Sequence, residues 1–397
     1  MSCIILNLSL SDNFLKEVVK AKSIYSHFSP IKAEFCRNLS AKLRLSIYCK
    51  WESRNFTGSF KERGVLNALL QLKKTNGVIT ASAGNHALAL SYYAKKMKVP
   101  CHIICPVHTP VAKTTRIEEN GAKLVLFGQN FSEAYQLALE KSKSLKLTFV
   151  HPYNQPEVIA GQGTIGLELL DECSQVKSIV VPVGGGGLIS GISVVIKNLA
   201  PHIKVIGVRS EWAESKHPHA SVSIADGIAI KSIGELPMKF IDRYVDDIVT
   251  VSEEAIAKAI TYFAELEKSL VEGAGAAGLA AVLEGKIKKT YFPAILIVCG
   301  SNIDISLLAR LLVRRLREEA RLVKFRVAVA DVPGTLGQAA SLIGSHGGQI
   351  IQTYHDRLDS PSPTTVGITF VVEVRDKKHS TRILKALQQH LGWAELL

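Results

Sequence analysis

The pattern of apolar and polar positions changes once along the chain, after Arg321. Before that point short apolar runs alternate with longer segments of helical period. Val78 to Ala81, Cys101 to Cys105, Lys123 to Phe127, Leu147 to Val150, Ser178 to Val183 and Lys204 to Val208 are predicted strands. Helical patterns lie between most of them, as where apolar residues return at Leu88, Tyr92 and Met97 after the first run. This alternation predicts βαβ units, an α/β fold with parallel sheet covered by helices on both faces.

After Arg321 the rhythm is different. Leu322 to Ala330 alternates and predicts a half-buried strand. Asp331-Val332-Pro333-Gly334-Thr335-Leu336 opens a helix. Gln349 to Arg357 and Val366 to Val374 read as strands joined by the loop Ser360-Pro361-Ser362-Pro363, Thr381 to Leu391 as a helix, and Trp393 to Leu397 as a short last strand. The order βαββαβ is ferredoxin-like.

Composition narrows the class. At 397 residues the chain is too long for one typical small domain, and 47% hydrophobic content is ample for a core. The net charge of +13 is spread along the chain. The one dense basic cluster, Arg310, Arg314, Arg315, Arg317 and Arg321, has Leu and Val between its members. That spacing predicts an amphipathic helix with a charged outer face rather than a nucleic-acid site. Seven cysteines without Cys-x-x-Cys spacing imply a reducing cytoplasm. Met1 to Leu10 is apolar, has no basic residues and runs into Ser11-Asp12-Asn13, so neither a secretory signal nor a membrane partner is expected.

Candidate chemistry begins at Thr57-Gly58-Ser59-Phe60-Lys61-Glu62-Arg63-Gly64, where one lysine lies in a turn-rich setting. A lysine of lowered pKa is a nucleophile that can hold a carbonyl compound as a Schiff base; an exposed lysine at a helix start would read the same way. Ala81-Ser82-Ala83-Gly84-Asn85-His86 is a loop of small residues between a strand and a helix. Its free N–H groups suit a carboxylate, though Ser82 or Asn85 as an ordinary cap is the plainer account. Gly184-Gly185-Gly186-Gly187-Leu188 follows a strand and opens a helix, as a phosphate cup does. Ile189 stands where a dinucleotide fingerprint needs glycine, and no Gly-Lys-Ser/Thr follows. Val298-Cys299-Gly300-Ser301-Asn302 ends another apolar run, and by itself reads as a buried cysteine before a turn. One ligand with an aldehyde and a phosphate, and a second with a carboxylate, satisfy the set. Pyridoxal phosphate with an amino acid fits.

The same stretches carry a resemblance. Lys50-Trp51-Glu52, Phe56-Thr57-Gly58-Ser59-Phe60-Lys61, Ser82 to His86, His151-Pro152-Tyr153, Gly161-Gln162-Gly163-Thr164 with Glu168, the tetraglycine, Asp226-Gly227-Ile228-Ala229, Glu272-Gly273-Ala274 and Cys299-Gly300-Ser301-Asn302 occur in family order over roughly residues 25 to 310. They resemble the pyridoxal-phosphate enzymes of the tryptophan-synthase-β fold type, and within them the threonine dehydratases (threonine ammonia-lyases). The C-terminal pattern, with Asp331-x-Pro333-Gly334-x-Leu336, resembles the amino-acid-sensing ACT domain. The resemblance implies a catalytic domain over 1–320, with two parallel-sheet subdomains of which the smaller spans roughly 50–147, and an ACT-like regulatory domain over 321–397.

The resemblance also implies roles. Lys61 holds the cofactor and, once free, acts as base on the substrate α-carbon. Phe60 lies against the ring. Ser82, Ala83, Gly84, Asn85 and His86 receive the substrate carboxylate, with Asn85 also near the ring hydroxyl. Gly184, Gly185, Gly186, Gly187 and Leu188 bind the phosphate, and Cys299 stands beside the pyridine nitrogen. A neutral thiol there keeps carbanion character near the α-carbon, which favours loss of a β-hydroxyl over transamination. The expected reaction is β-elimination from L-threonine, or L-serine, to 2-oxobutyrate or pyruvate and ammonia, feeding isoleucine synthesis or threonine breakdown. Two other readings stand beside it. One is a serine or other amino-acid racemase; related serine racemases have a serine at the position of Ala83, which cannot donate a proton. The other is an amino-acid-binding regulator with a relict catalytic domain, against which the retained Lys61 and tetraglycine argue. Sulfhydrylases of this fold have Thr at the position of His86. Cation-binding relatives often have Glu where this chain has Arg209, which cannot ligate a cation, and His217 and His219 read as solvent-facing, so no metal is expected. A homo-oligomer, dimer or tetramer, is expected by analogy, with an amino-acid effector at the ACT-like domain.

Overall fold

Apolar runs without polar interruption become strands buried on both faces. The computed structural model describes residues 14–172, 175–213, 223–356 and 364–397. His217, His219, Arg357, the Ser360–Pro363 loop and the chain start lie outside them. The chain divides into two compact units, Met1–Ile303 and Asp304–Leu397.

The strands of the first unit are β1 (Ala33–Phe35), β2 (Ile47–Lys50), β3 (Val78–Ala81), β4 (Cys101–Cys105), β5 (Lys123–Leu126), β6 (Thr148–Phe149), β7 (Ser178–Pro182), β8 (Lys204–Ser210), β9 (Asp247–Val251) and β10 (Ala294–Ile297). They form two sheets, ordered β1-β2-β10-β7-β8-β9 and β5-β4-β3-β6. The second sheet is parallel throughout, and in the first only the β1–β2 pair is antiparallel. β3, β7 and β10 are buried at every position, as strands with both faces covered must be. Lys50 belongs to the larger sheet, while Thr148 and Phe149 complete the smaller one.

In the second unit β11 (Leu322–Ala330) leads to the helix Thr335–Ser345, then β12 (Gln349–Asp356), β13 (Thr365–Glu373), the helix Lys377–Leu391 and β14 (Trp393–Leu396). The sheet is antiparallel in the order β12-β13-β11-β14. One of its faces takes Phe325, Val327 and Phe370 into a core with Ile383 and Leu387. The helix Ile305–Glu318 belongs to this unit and carries Arg310, Arg314, Arg315 and Arg317, with Arg321 beyond its end. Arg314 and Arg315 pair with Glu318 and Glu319 one turn on. Among the described residues no helix is long and apolar enough to cross a membrane.

Two features lock the helix Lys61–Leu70 in place. The first is backbone contact. A Cβ on Gly64 would lie 2.7 Å from the Val158 carbonyl, and one on Gly161 would lie 2.6 Å from the Gly64 Cα, so only glycines let this helix and Pro156–Glu172 approach so closely. The second is charge. Arg63 is fully buried and donates from Nε to Glu52 at 2.7 Å, from Nη2 to Glu52 and Glu168 at 2.8 Å each, and from Nη1 to Thr164 at 2.9 Å. Lys50, also fully buried, pairs with Glu168 and Glu172 at 2.9 Å. Burial works to raise the Glu168 carboxyl, but Arg63 and Lys50 hold it below the usual carboxylate range.

Arg63→Met leaves Glu52 and Glu168 buried without their main counter-charge. It is expected to lower the stability of this unit by about 3–5 kcal/mol, read from the urea midpoint. A change under about 1 kcal/mol, the worth of an exposed pair, would show the network to be dispensable.

Candidate active site

Lys61 opens its helix, and the turn before it is bonded to the end of the β10 loop. Ser59 bridges to Gly300, the Phe60 N–H donates to the Cys299 carbonyl at 3.0 Å, and the Ser301 N–H donates to the Gly58 carbonyl at 2.9 Å. Two motifs far apart in sequence are therefore one backbone unit. The half-buried Lys61 amine donates to the Pro152 carbonyl at 2.8 Å and lies 5.0 Å from the centroid of the Phe60 ring. Burial lowers its pKa to about 8, with Cys299 and Glu272 pulling the other way. At that value about a tenth of the amine is free base at pH 7, far more than for an unshifted lysine, and the free base is the form a nucleophile needs.

Two neighbours of this amine, Cys299 and His86, are kept neutral. Burial and the Glu272 carboxylate push the Cys299 thiol well above its ordinary range. Burial and the Lys61 charge lower His86 to about 3, and its Nε2 lies 3.0 Å from the Val150 carbonyl. The His86 side chain is thus buried beneath the loop, and only its backbone belongs to the helix start.

The Ser82–His86 loop leaves β3 at Ala81 and enters the helix Asn85–Lys96 with Gly84 as cap. The Gly84 N–H meets Ser82 Oγ at 3.3 Å. A Cβ on Gly84 would meet nothing within 4 Å, so its Cα borders open space at a helix N-terminus. Ala83 presents a methyl group and no proton. Asn85 is held at both ends of its amide: Nδ2 donates to the Glu272 carboxylate oxygens at 2.8 and 3.1 Å, and Oδ1 accepts from Asn302 Nδ2 at 2.6 Å.

Gly184, Gly185 and Gly186 lie between β7 and the helix Gly187–Leu199, which Gly187 and Leu188 open, and all five are buried. Gly186 takes φ +91° to start that helix, a left-handed conformation that favours glycine. A Cβ on Gly185 would lie 2.3 Å from the Tyr153 ring. The opening N–H groups of the helix have no intrahelical partner, as an anion site requires.

The structure thus draws Phe60, Lys61, Asn85 and Cys299 around shared contacts, with His86 buried behind them. Ser59 Oγ and His86 Nδ1 are buried without a partner among the described residues, atoms that a bound polar group would explain. A lysine of lowered pKa, a glycine-built helix start and a neutral buried thiol suit an aldehyde that carries a phosphate and a ring nitrogen. Glu272, Asn302 and Pro152 lie within the sequence motifs, which assign them no role. Arg116, which donates to Asn302 at 2.9 Å, carried no signal at all. Arg209 donates to the Ile230 and Lys231 carbonyls at 3.2 and 3.4 Å. No cluster of His, Cys, Asp or Glu suited to a metal occurs among the described residues.

The model of the pyridoxal-phosphate dependent enzymes matches residues 25–300. The chain is 39% identical over 355 residues to the L-threonine ammonia-lyase of Thermotoga maritima, covering 86% of this chain and 88% of that protein. It is 38% identical over 393 residues to the L-threonine ammonia-lyase of Geobacter sulfurreducens, covering 95% of each. A solved structure, the processed form of threonine deaminase isoform 2 from Solanum lycopersicum, matches with a TM-score of 0.69 at 31% identity, over 76% of this chain and 87% of that one.

Pyridoxal phosphate added to cofactor-free protein is expected to be captured at a rate that rises with pH through about 8, followed by absorbance at the violet edge of the visible. The sign follows from the amine, which reacts only when deprotonated. Lys61→Ala removes the absorbance, and a rate that keeps climbing to about pH 10 without levelling above about 8 would mean an ordinary lysine.

Proposed function

The chain belongs to the pyridoxal-phosphate dependent enzymes, and from its likeness to two L-threonine ammonia-lyases we propose that it is an L-threonine ammonia-lyase, converting L-threonine to 2-oxobutyrate and ammonia and L-serine to pyruvate and ammonia. The observation that carries the reading is the likeness, at 38% and 39% identity, to the two L-threonine ammonia-lyases, and the Lys61 amine, lowered to about 8 by burial, supplies the reacting group. When bound, the cofactor supplies an electron sink for the substrate α-carbon.

The residues of this chain do the rest. Lys61 holds the cofactor and then takes the α-proton at its Nζ, a task suited to an amine near pH 8. The N-terminus of the helix Asn85–Lys96, reached across Gly84, binds the substrate carboxylate, and Ser82 lies beside it. Gly184 to Leu188 bind the phosphate through backbone N–H groups. Phe60, whose ring lies near the Lys61 amine, packs against the cofactor ring. Cys299 offers its neutral thiol to the ring nitrogen, and the absence of a carboxylate there favours prompt loss of the β-hydroxyl. Ala83 has no proton to deliver to the second face of the α-carbon, which disfavours racemisation.

The second unit is read as an ACT-like regulatory domain that binds an amino-acid effector. Its βαββαβ order, its antiparallel sheet and the Asp331-Val332-Pro333-Gly334 turn before the helix Thr335–Ser345 support that reading. So does the length of the Geobacter sulfurreducens match, which takes in this unit. A homo-oligomer is proposed on the same analogy. The cytoplasm is proposed as its compartment, since Cys36, Cys49, Cys101, Cys105 and Cys299 are buried free thiols.

Purified protein with bound cofactor is expected to form 2-oxobutyrate from L-threonine, and Lys61→Ala to lose this by several orders of magnitude. No oxo acid from threonine or serine with cofactor bound would reject the reading and favour a racemase. No cofactor at all would favour the effector-binding regulator.

A further inference from the structure

We propose that Glu272 is a positioning residue for this reaction, whose carboxylate clamps the Asn85 amide and the Asn302 backbone and so holds the substrate loop and the Lys61 turn in one geometry. The inference rests on the active-site reading above.

Glu272 occupies the N-cap position of the helix Gly273–Leu283, yet its side chain makes no cap hydrogen bond. It turns instead toward the Ser82–His86 loop and the segment after β10, where it accepts from Asn85 Nδ2 at 2.8 and 3.1 Å and from the Asn302 N–H at 3.1 Å. Gly300 makes room for it: a Cβ there would lie 2.2 Å from Glu272 Oε1. Its partners are amides rather than cations, an expensive arrangement for a buried carboxylate. A serine or asparagine would have capped the helix more cheaply. What the position secures is a closed ring. Asn302 Nδ2 donates to Asn85 Oδ1 at 2.6 Å and to the Thr57 carbonyl at 2.8 Å, while Asn302 Oδ1 accepts from Arg116 at 2.9 Å. Asn85 and Arg116 come from the side of the smaller sheet, Glu272 and Asn302 from that of the larger.

The ring is poised to respond to protons. Burial raises the Glu272 carboxyl to about 7; Asp226 adds to the rise, while Asn85, the Asn302 N–H and Lys113 oppose it. The Cys299 thiol and the Lys61 amine face the same carboxylate. A protonated carboxyl cannot accept all three bonds, so the ring is complete only above that value. The folded carboxyl titrates above its unfolded value. The folded state therefore binds the extra proton between the two, and stability falls as pH rises toward about 7.

The test compares wild type, Glu272→Gln and Gly300→Ala, each saturated with pyridoxal phosphate. For L-threonine, wild-type kcat/KM is expected to rise with pH through about 7. Glu272→Gln should lose that limb and fall roughly ten- to a hundredfold, the equivalent of one or two charge-assisted hydrogen bonds. Its melting temperature relative to wild type should climb as pH rises toward neutrality. Gly300→Ala, which displaces the carboxylate without removing it, should repeat the kinetic loss. A Gln variant with wild-type kcat/KM and an unchanged limb overturns the proposal, as does one whose melting temperature falls equally at every pH. If wild type forms no oxo acid from threonine, the threonine reading fails by itself. Cofactor affinity and melting then decide: weaker cofactor binding with the rising melting difference supports the clamp, and unchanged binding overturns it.

Discussion

The buried guanidinium of Arg63 is the interaction on which the active site depends. It joins Glu52, just after β2, to Glu168 on the helix Pro156–Glu172, and it stands two residues after the reactive lysine. Such a network gains little net stability, because desolvating the charges offsets most of their attraction. Its effect is on geometry. A helix carrying an unexposed cation between two carboxylates has one register, since a shift would leave charge unpaired. The glycine contact between Gly64 and Gly161 adds a steric stop to the electrostatic one. Lys61 inherits both constraints through a single turn of backbone.

Around that lysine, burial does most of the tuning. It lowers the amine and His86, and raises Cys299 and Glu272, each toward its neutral form. Near neutral pH the thiol and the imidazole are thus uncharged, while the Lys61 amine and the Glu272 carboxyl both titrate close to that pH. In such surroundings a proton gained or lost by one group is felt strongly by the next.

Much of the fold is legible in the sequence where a single strand carries its own signal. Val78–Ala81, Cys101–Cys105 and Leu322–Ala330 match the structure at both ends, because unbroken or strictly alternating apolar runs fix where burial starts and stops. β1 and β9, with exposed or half-buried positions, give no comparable contrast. Lys61, the small-residue loop and the tetraglycine stand out as motifs because each performs its part locally. Glu272 does not: its partners Asn85 and Asn302 are distant in sequence, and nothing in the run Glu272-Gly273-Ala274 tells that the side chain turns away from its own helix. His86 shows the reverse. Its place in the loop motif points to the ligand, while its ring, bonded to the Val150 carbonyl, is part of the core.

The position of β10 sets the timing of assembly. This strand lies between β2 and β7, so one of the last segments of the first unit to be synthesised fills a central place in the larger sheet. Until it emerges from the ribosome, β2 and β7 each have an open edge. The Lys61 turn also waits, for its hydrogen-bond acceptor at Cys299 arrives with the same segment.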